Sequence, residues 1–248
     1  MAQTHRSTGR RLLAGAVLVF ACSAALADSF TLDFDDLGYS FLGAGDMFGH
    51  KGFQLSALSG LPDSQPSDLV GAIFDGNAPG MCMQLSCPTN NLTAGYYAGL
   101  NDGALLIDSA APGGLHIKSF DASFIGAFQR NEVDGYPDVA GVLEVRGYAA
   151  DGSFVSEHFN LSGPAGTDFL MQRYETSADF ASQAFTEISF FAYRCDFSGE
   201  CIAFGDNAGQ FALDNISMDV SPVPEPGAWL MLLGGLGTIS VFRRRRAV

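Results

Sequence analysis

The strongest constraint on the fold is a segment at residues 142–161 that has the composition of two strands joined by a turn. Residues 142–148 form a short apolar run, and residues 154–161 can return beside it as a partner strand. Asp151-Gly152, which lies between the two runs, is typical of a type I′ turn. The segment therefore predicts a β-hairpin.

Similar short apolar runs, separated by Gly, Asp, Asn and Ser, continue through residues 28–221, here called the body. Helical periodicity is scarce, and 178–185 is the single helix predicted. This strand density, with 21 Phe and Gly-rich turns, predicts one all-β domain, an antiparallel jelly-roll-like β-sandwich. Further strands are predicted at 30–34, 52–56, 68–74, 104–108, 115–128 with a bend, 169–174, 187–194 and 211–220.

The first 27 residues have the pattern of a secretory signal peptide. Arg6, Arg10 and Arg11 are followed by an apolar run at 12–26 and by Ala-Leu-Ala at 25–27. Signal peptidase is therefore expected to cleave between Ala27 and Asp28. Cys22 raises the alternative of a lipoprotein signal, but the bulky Phe20 two residues before it disfavours that alternative.

The last 27 residues combine a proline-rich segment, an apolar run and a basic cluster. Alternating prolines at 222, 224 and 226 oppose a helix and favour an extended, exposed segment. Residues 227–242 carry no charge and would form a helix of about 24 Å, slightly short of a bilayer core. By the positive-inside rule, the four arginines that follow stay in the cytoplasm. These arginines are Arg243, Arg244, Arg245 and Arg246.

The order Pro-Glu-Pro, apolar helix and arginine cluster at residues 223–246 resembles the PEP-CTERM sorting signal of Gram-negative bacteria, a family also called the ice-binding protein C-terminal domain. The resemblance implies that an exosortase recognises Pro224, Glu225 and Pro226 and removes the tail. The protein would be membrane-inserted before processing, and then released or held at the cell surface. Together, the signal peptide and this tail divide the chain into residues 1–27, 28–221 and 222–248. The family label carries no evidence of ice binding.

The body is strongly acidic and contains four cysteines. It has 6 basic and 26 acidic side chains, a net charge near −20 that disfavours nucleic acid as a partner. Four cysteines allow three disulfide connectivities. Their short spacings and an oxidising compartment favour Cys82 with Cys87 and Cys195 with Cys201, while a zinc site remains the alternative.

The opening Phe34-Asp35-Asp36, the central hairpin and the closing strand at 210–220 together resemble the jelly-roll sandwiches of secreted carbohydrate-binding and PEP-CTERM proteins. The resemblance implies that the first and last strands lie side by side, and that the aspartate of the last strand can help to hold a structural calcium. Asp35, Asp36 and Asp214 would supply carboxylate ligands to that ion. The alternative is that these aspartates stabilise turns. No other cofactor is expected.

No catalytic residues are expected in the body. Its three histidines, His50, His116 and His158, form no His-Glu-x-x-His pair, and no Gly-x-Ser-x-Gly elbow is present. Glu144 and Glu157 could face one another across the hairpin as glycosidase carboxylates do. A solvent-facing role, with Arg146 as a neighbour of Glu144, is the favoured alternative.

The sequence therefore predicts a secreted, non-catalytic surface or matrix protein associated with exopolysaccharide. A carbohydrate-binding module with structural calcium is the first alternative, and an envelope glycoside hydrolase is the second. The body has no tryptophan, so tyrosines are the candidates for stacking on sugars, with core packing as their alternative role. The candidates are Tyr96, Tyr97, Tyr136 and Tyr148.

Overall fold

The computed structural model describes residues 28–78, 82, 85–91, 93–109, 114–127 and 135–221. Within these ranges the chain forms β-strands and one short helix, and every strand pair is antiparallel. The elements are β1 (Asp28–Leu32), β2 (Ser40–Gly43), β3 (Met47–His50), β4 (Phe53–Ser59), β5 (Leu69–Asp75), β6 (Leu85–Ser86), β7 (Gly95–Gly99), β8 (Gly103–Ser109), β9 (Leu115–Phe124), β10 (Gly126–Ala127), β11 (Val139–Tyr148), β12 (Phe154–Ser162), β13 (Gln172–Glu175), α1 (Ala178–Ala181), β14 (Glu187–Cys195), β15 (Cys201–Ile202) and β16 (Phe211–Val220).

The first sheet has the order β13-β9-β16-β7-β5-β2. β16 pairs with β9 along one edge, and its other edge is shared by β7 at residues 211–213 and β1 at residues 216–220. Asp28 at the start of β1 lies opposite Val220 at the end of β16. The last strand is therefore central in this sheet. The predicted pairing of the first and last strands is confirmed.

The second sheet has the order β12-β11-β14-β8-β4-β3, with β15 beside the end of β14. β11 and β12 form the predicted hairpin, in which Tyr148 lies opposite Phe154 and Val142 opposite Asn160. A small separate ladder joins β6 and β10.

Apolar side chains of both sheets meet in one core, so the body is a β-sandwich. Phe120 of the first sheet contacts Phe190 of the second edge to face, with ring centroids 5.5 Å apart. Leu143 and Val145 of β11 are fully buried in this core. Because side chains alternate along a strand, Glu144 and Arg146 lie on the opposite, outer face of the second sheet.

Most predicted strands are confirmed to within a few residues, and the predicted bend in 115–128 lies at Ile125, between β9 and β10. The strand predicted at 169–174 is observed at Gln172–Glu175, and the helix predicted at 178–185 ends at Ala181. The short strands β2, β3, β6 and β15 were not predicted, and neither was β7.

The prediction of a type I′ turn in the hairpin was wrong. Gly152 has a φ of 82°, whereas Asp151 does not have a positive φ, which a type I′ turn requires. The Gly152 amide donates to the Ala149 carbonyl at 2.9 Å, and the Ala149 amide donates to the Ser153 carbonyl at 2.8 Å. The connection is a three-residue loop that ends in a left-handed glycine.

Both predicted targeting segments lie outside the described residues. These are the signal peptide at 1–27 with Ala27, and the tail at 222–248 with its Pro-Glu-Pro, apolar run and arginines. None of the helices in the described ranges is long and apolar enough to span a membrane.

Candidate functional site

The outer faces of the two sheets differ in how they are covered. On the first sheet, the Cys82–Cys87 disulfide packs over Phe74 and Tyr96 and closes a second small apolar cluster. On the second sheet, the corresponding face carries polar and aromatic side chains, several of them exposed to solvent. The open face of the second sheet is therefore the better candidate for ligand binding.

Strand register brings the side chains of this face together in rows. Glu144 lies opposite His158 on one side and Phe191 on the other. In the next row, Arg146 lies between Ser156 and Ser189. We call this surface the Glu144 face; it consists of Glu144, Arg146, Tyr148, Phe154, Ser156, His158, Phe191 and Tyr193.

The Glu144 carboxylate is almost completely buried at the centre of this face. The residue is only 3% exposed. Oε1 accepts hydrogen bonds from Arg146 Nη2 at 2.7 Å, Arg146 Nε at 2.9 Å and Ser156 Oγ at 2.7 Å. Oε2 accepts from the Tyr193 hydroxyl at 2.7 Å, and His158 Nε2 lies 3.3 Å from it. Both carboxylate oxygens are thus held by donors from three strands.

These contacts keep Glu144 ionised. Burial by itself would raise the pKa of Glu144, but hydrogen bonds from Ser156, Tyr193 and Arg146, together with the arginine charge, lower it below its ordinary value. Burial and the adjacent carboxylate raise the pKa of Tyr193 to about 12. At neutral pH the tyrosine is a permanent donor and the glutamate a permanent acceptor.

Aromatic rings surround the ion pair. The Arg146 guanidinium lies 4.6 Å from the Phe154 ring centroid and 5.1 Å from that of Phe191. Phe204 packs on Phe191 with centroids 5.0 Å apart, although its own φ of 57° is unfavourable for a bulky residue. Its ring fills the space in which Gly60 has no side chain. Phe154 is 55% exposed and presents its ring to solvent.

Glu144 and Glu157, the disfavoured alternative of a facing carboxylate pair, do not face one another. Glu144 lies opposite His158, and Glu157 is one residue out of step, opposite Val145. Side chains one residue apart project from opposite faces of a strand. The carboxylate of Glu157 instead accepts from the Ser177 amide, at 3.1 and 3.2 Å. The predicted proximity of Arg146 is confirmed, but the predicted solvent exposure of Glu144 was wrong.

The structure brings two of the three predicted calcium ligands together. Asp214 is fully buried and accepts from Thr93 Oγ1 at 2.7 Å, while Asp35 accepts from the Gly95 amide at 3.0 Å. Burial, and secondarily the charge of Asp35, raise the pKa of Asp214 to about 6. The carboxylates of Asp35, in the turn after β1, and of Asp214, inside β16, are therefore close enough to interact electrostatically.

The third predicted ligand, Asp36, lies in a different group. Its Oδ1 is 3.5 Å from His50 Nε2, and Asp33 completes a cluster whose potential ligand atoms lie within 4.8 Å of one another. Two residues of this cluster, His50 and Asp33, already have polar partners in the protein. His50 Nε2 is 2.5 Å from the Asp33 carbonyl oxygen, and Lys51 Nζ is 2.5 Å from Asp33 Oδ1.

The cysteines pair as the sequence favoured, Cys82 with Cys87 and Cys195 with Cys201.

The four candidate tyrosines have different positions. Tyr96 and Tyr97 are buried, and Tyr136 packs against Phe124 and Phe169. Of the four, Tyr148 lies on the Glu144 face, where its ring centroid is 6.1 Å from that of Phe154. Tyr193 and Phe191, which lie on the same face, were not predicted as binding residues.

Comparison with known proteins identifies the tail. A family model, the PEP-CTERM protein-sorting motif, matches residues 222–246, directly after the last described residue, Ser221. This motif marks a protein that is exported and sorted to the cell surface or the extracellular space. No curated protein matches the chain.

Several solved structures are distantly similar to the chain. A family 29 carbohydrate-binding module is 11% identical, covering 78% of this chain and 89% of its own, with a TM-score of 0.33. A DUF4465 family protein from Bacteroides ovatus is 9% identical, with coverages of 78% and 99% and a TM-score of 0.40. A cyclase from Fischerella sp. TAU is 11% identical, with coverages of 79% and 100% and a TM-score of 0.41. At these TM-scores the similarity establishes neither a family nor an activity for this chain.

Proposed function

We propose that this is an exosortase-sorted surface or matrix protein whose jelly-roll-like body binds polysaccharide without cleaving it, and that the Glu144 face is the binding site. The observation that carries the proposal is a buried glutamate on an outer sheet face, hydrogen-bonded at both carboxylate oxygens and paired with Arg146, beside the exposed ring of Phe154. Exposed ion pairs contribute little to stability, so a strand surface that only faces solvent does not require an arrangement of this kind.

The chemistry of the face suits a sugar ring. Sugars present apolar C–H faces, which pack on aromatic rings such as Phe154, and hydroxyl edges, which exchange hydrogen bonds with fixed polar groups. The bonds around Glu144 hold Arg146 in place, so the site needs little ordering when a ligand arrives.

Glu144 is better suited to positioning than to catalysis. A glycosidase acid needs a raised pKa and a second carboxylate across the scissile bond. The pKa of Glu144 is lowered, and Glu157 projects from the opposite face of its strand. We therefore propose that the body has no hydrolase activity. Reducing-sugar release from a polysaccharide, abolished by Glu144→Gln, would contradict this and favour an envelope hydrolase.

Affinity electrophoresis in gels that contain single polysaccharides, including exopolysaccharide of the native host, tests the binding site. We expect retardation of the wild-type body by at least one polysaccharide and its loss in Phe154→Ala. Phe41→Ala is the matched control, because Phe41 is a 46% exposed phenylalanine on the first sheet. Equal retardation of all three proteins would contradict the Glu144 face as the site.

We further propose that signal peptidase releases Asp28 as the mature N-terminus and that exosortase acts at Pro224-Glu225-Pro226. Before that step, residues 227–242 would span the membrane and hold Arg243 to Arg246 in the cytoplasm. Intact mass of the protein from culture medium and from membranes of the host tests both cleavages. A mature membrane-bound species that keeps the four arginines would show a permanent anchor instead.

Asp35 and Asp214 also support a proposed structural calcium site. Adjacent carboxylates are ligands that Ca²⁺ prefers, and a cation would offset the cost of ionising the buried Asp214. Millimolar Ca²⁺ should therefore raise the melting temperature of the wild type, but not of Asp214→Asn. Absence of a shift in the wild type would contradict the site.

A further inference from the structure

A short, tightly closed loop lies at one end of the Glu144 face. The Cys195–Cys201 disulfide closes residues 195–201. Asp196 Oδ1 accepts from the Ser198 hydroxyl at 2.7 Å, the Ser198 amide at 2.8 Å and the Glu200 amide at 3.0 Å. The Asp196 amide also donates to the Glu200 carbonyl at 2.9 Å. These bonds and the disulfide restrain the backbone of the loop.

The loop presents one phenylalanine to solvent. Phe197 is 77% exposed, more than any other large apolar residue in the described part of the chain. An exposed ring on a fixed backbone gains no packing in the free protein. On binding a ligand, however, it would lose little conformational entropy, as rigid aromatic anchors of binding sites do.

A groove of about 410 Å³ lies beside this ring and continues the Glu144 face. Its lining includes Val142 and Asn160, which lie opposite one another in the hairpin. Val142 also lies opposite Tyr193, the residue that donates to Glu144. Val142 and Glu144 are two positions apart on the same strand, which places them about 7 Å from one another. One extended ligand can therefore contact both the ion pair and the groove.

The charges of the groove restrict the ligand. Asp138 and Asp196 are in its lining, and no lysine or arginine is among the lining residues. Carboxylate and amide oxygens there can accept hydrogen bonds from sugar hydroxyls. A polysaccharide that carries carboxylates of its own would be repelled, and so would anionic lipid headgroups.

We infer that Phe197 and the groove form a second subsite of the proposed binding site, and that the ligand is a neutral, extended polysaccharide running from Phe154 to Phe197. The inference rests on the proposed function, since it assigns to the same face a class of ligand and the line along which that ligand lies. The run from Tyr148, opposite Phe154, to Val142 alone is about 20 Å along β11. Long oligosaccharides should therefore bind both subsites, and short ones should not.

The test is calorimetric titration of the wild-type body with neutral β-glucan or xylan oligosaccharides of two and of six units, using the class that retards it best in gels. For Phe197→Ala, we expect about tenfold weaker binding of the hexasaccharide, the effect of losing one aromatic anchor, and unchanged binding of the disaccharide. Phe154→Ala should weaken both, and Phe41→Ala neither. Phe197 is exposed, so its replacement should leave the melting temperature unchanged.

Alginate, a carboxylated polysaccharide, tests the ligand class at low and at physiological salt. We expect neutral chains to bind and alginate not to bind at either salt concentration. If alginate binds as tightly as the neutral chains, the ligand class is wrong.

The two proposals fail in different ways. If Phe154→Ala weakens binding but Phe197→Ala binds the hexasaccharide as the wild type does, the second subsite is wrong and the proposed function stands. If the wild type binds no polysaccharide at all, both are wrong.

Discussion

Replacing Arg146 by methionine tests whether the ion pair at the centre of the Glu144 face is a buried structural unit. Methionine keeps an apolar stem between Phe154 and Phe191 but removes both nitrogens that bind Glu144 Oε1. Removing one partner of a buried pair costs about 3–5 kcal/mol. The Arg146 side chain is 28% exposed and other donors to Glu144 remain, so we expect about 2–3 kcal/mol.

Urea denaturation followed by circular dichroism measures this loss, and a thermal melt should show a decrease of about 5–10 °C for a domain of this size. Arg194→Met is the matched control. Arg194 pairs with Asp206 at 2.8 Å, but both side chains are more than one third exposed. Its replacement should cost at most about 1 kcal/mol.

The cost of Arg146→Met should also depend on pH. Without the arginine, burial would raise the pKa of Glu144, so its ionised form would destabilise the variant at neutral pH. In the wild type the lowered pKa gives stability that is present at neutral pH and is lost as the pH falls through that pKa. Both effects make the difference between the two proteins shrink towards pH 4. A loss equal to that of Arg194→Met, with no pH dependence, would refute the buried pair.

Three further predictions concern other parts of the body. Because the pKa of Asp214 is raised to about 6, the native state binds more protons than the unfolded state between about pH 4 and 6, and this group destabilises the fold as the pH rises through that window. Urea denaturation with EDTA present, so that the proposed calcium site is empty, should show that Asp214→Asn removes about 3 kcal/mol of this dependence, and an unchanged profile would contradict it. Tyr97→Phe should stabilise the body by about 1 kcal/mol in the same assay, since its buried hydroxyl has no partner among the described residues, and a clear loss would show that the hydroxyl is bonded. Replacing Cys195 and Cys201 by alanine should cost about 2 kcal/mol, the value for a short closed loop, and an unchanged melting curve would contradict a formed disulfide.

Strands with a clear local pattern could be predicted from the sequence. β11, β12 and β16 are long, and their apolar residues alternate or cluster between recognisable turns. β7 could not be found in this way, because Gly95 and Gly99 end it and weaken its strand propensity. The structure needs those glycines, since a side chain at Gly95 would overlap the Phe34 carbonyl and one at Gly99 the Phe211 ring.

The candidate site was only partly accessible to sequence reasoning. The spacing of Glu144 and Arg146 by two residues places them on one strand face, and their contact was predicted on that basis. The burial of Glu144 depends on Tyr193, which is 49 positions away along the chain, and on the strand order that brings β14 beside β11. Without that order, a glutamate in a strand is expected to face solvent. Tyr96 shows the converse error, because the segment with the Cys82–Cys87 disulfide closes over the outer face of the first sheet and buries this ring.

The central position of β16 has a mechanical consequence. The sorting motif follows its last residues directly, so a pull on the tail acts on this strand first. The hydrogen bonds that join it to β9 on one side and to β1 and β7 on the other are nearly perpendicular to the strand axis, and so to a pull along that axis. The hydrogen bonds are then loaded together in shear, whereas an edge strand could be peeled away one bond at a time. A body held by this tail is thus attached through a strand that is paired along both of its edges.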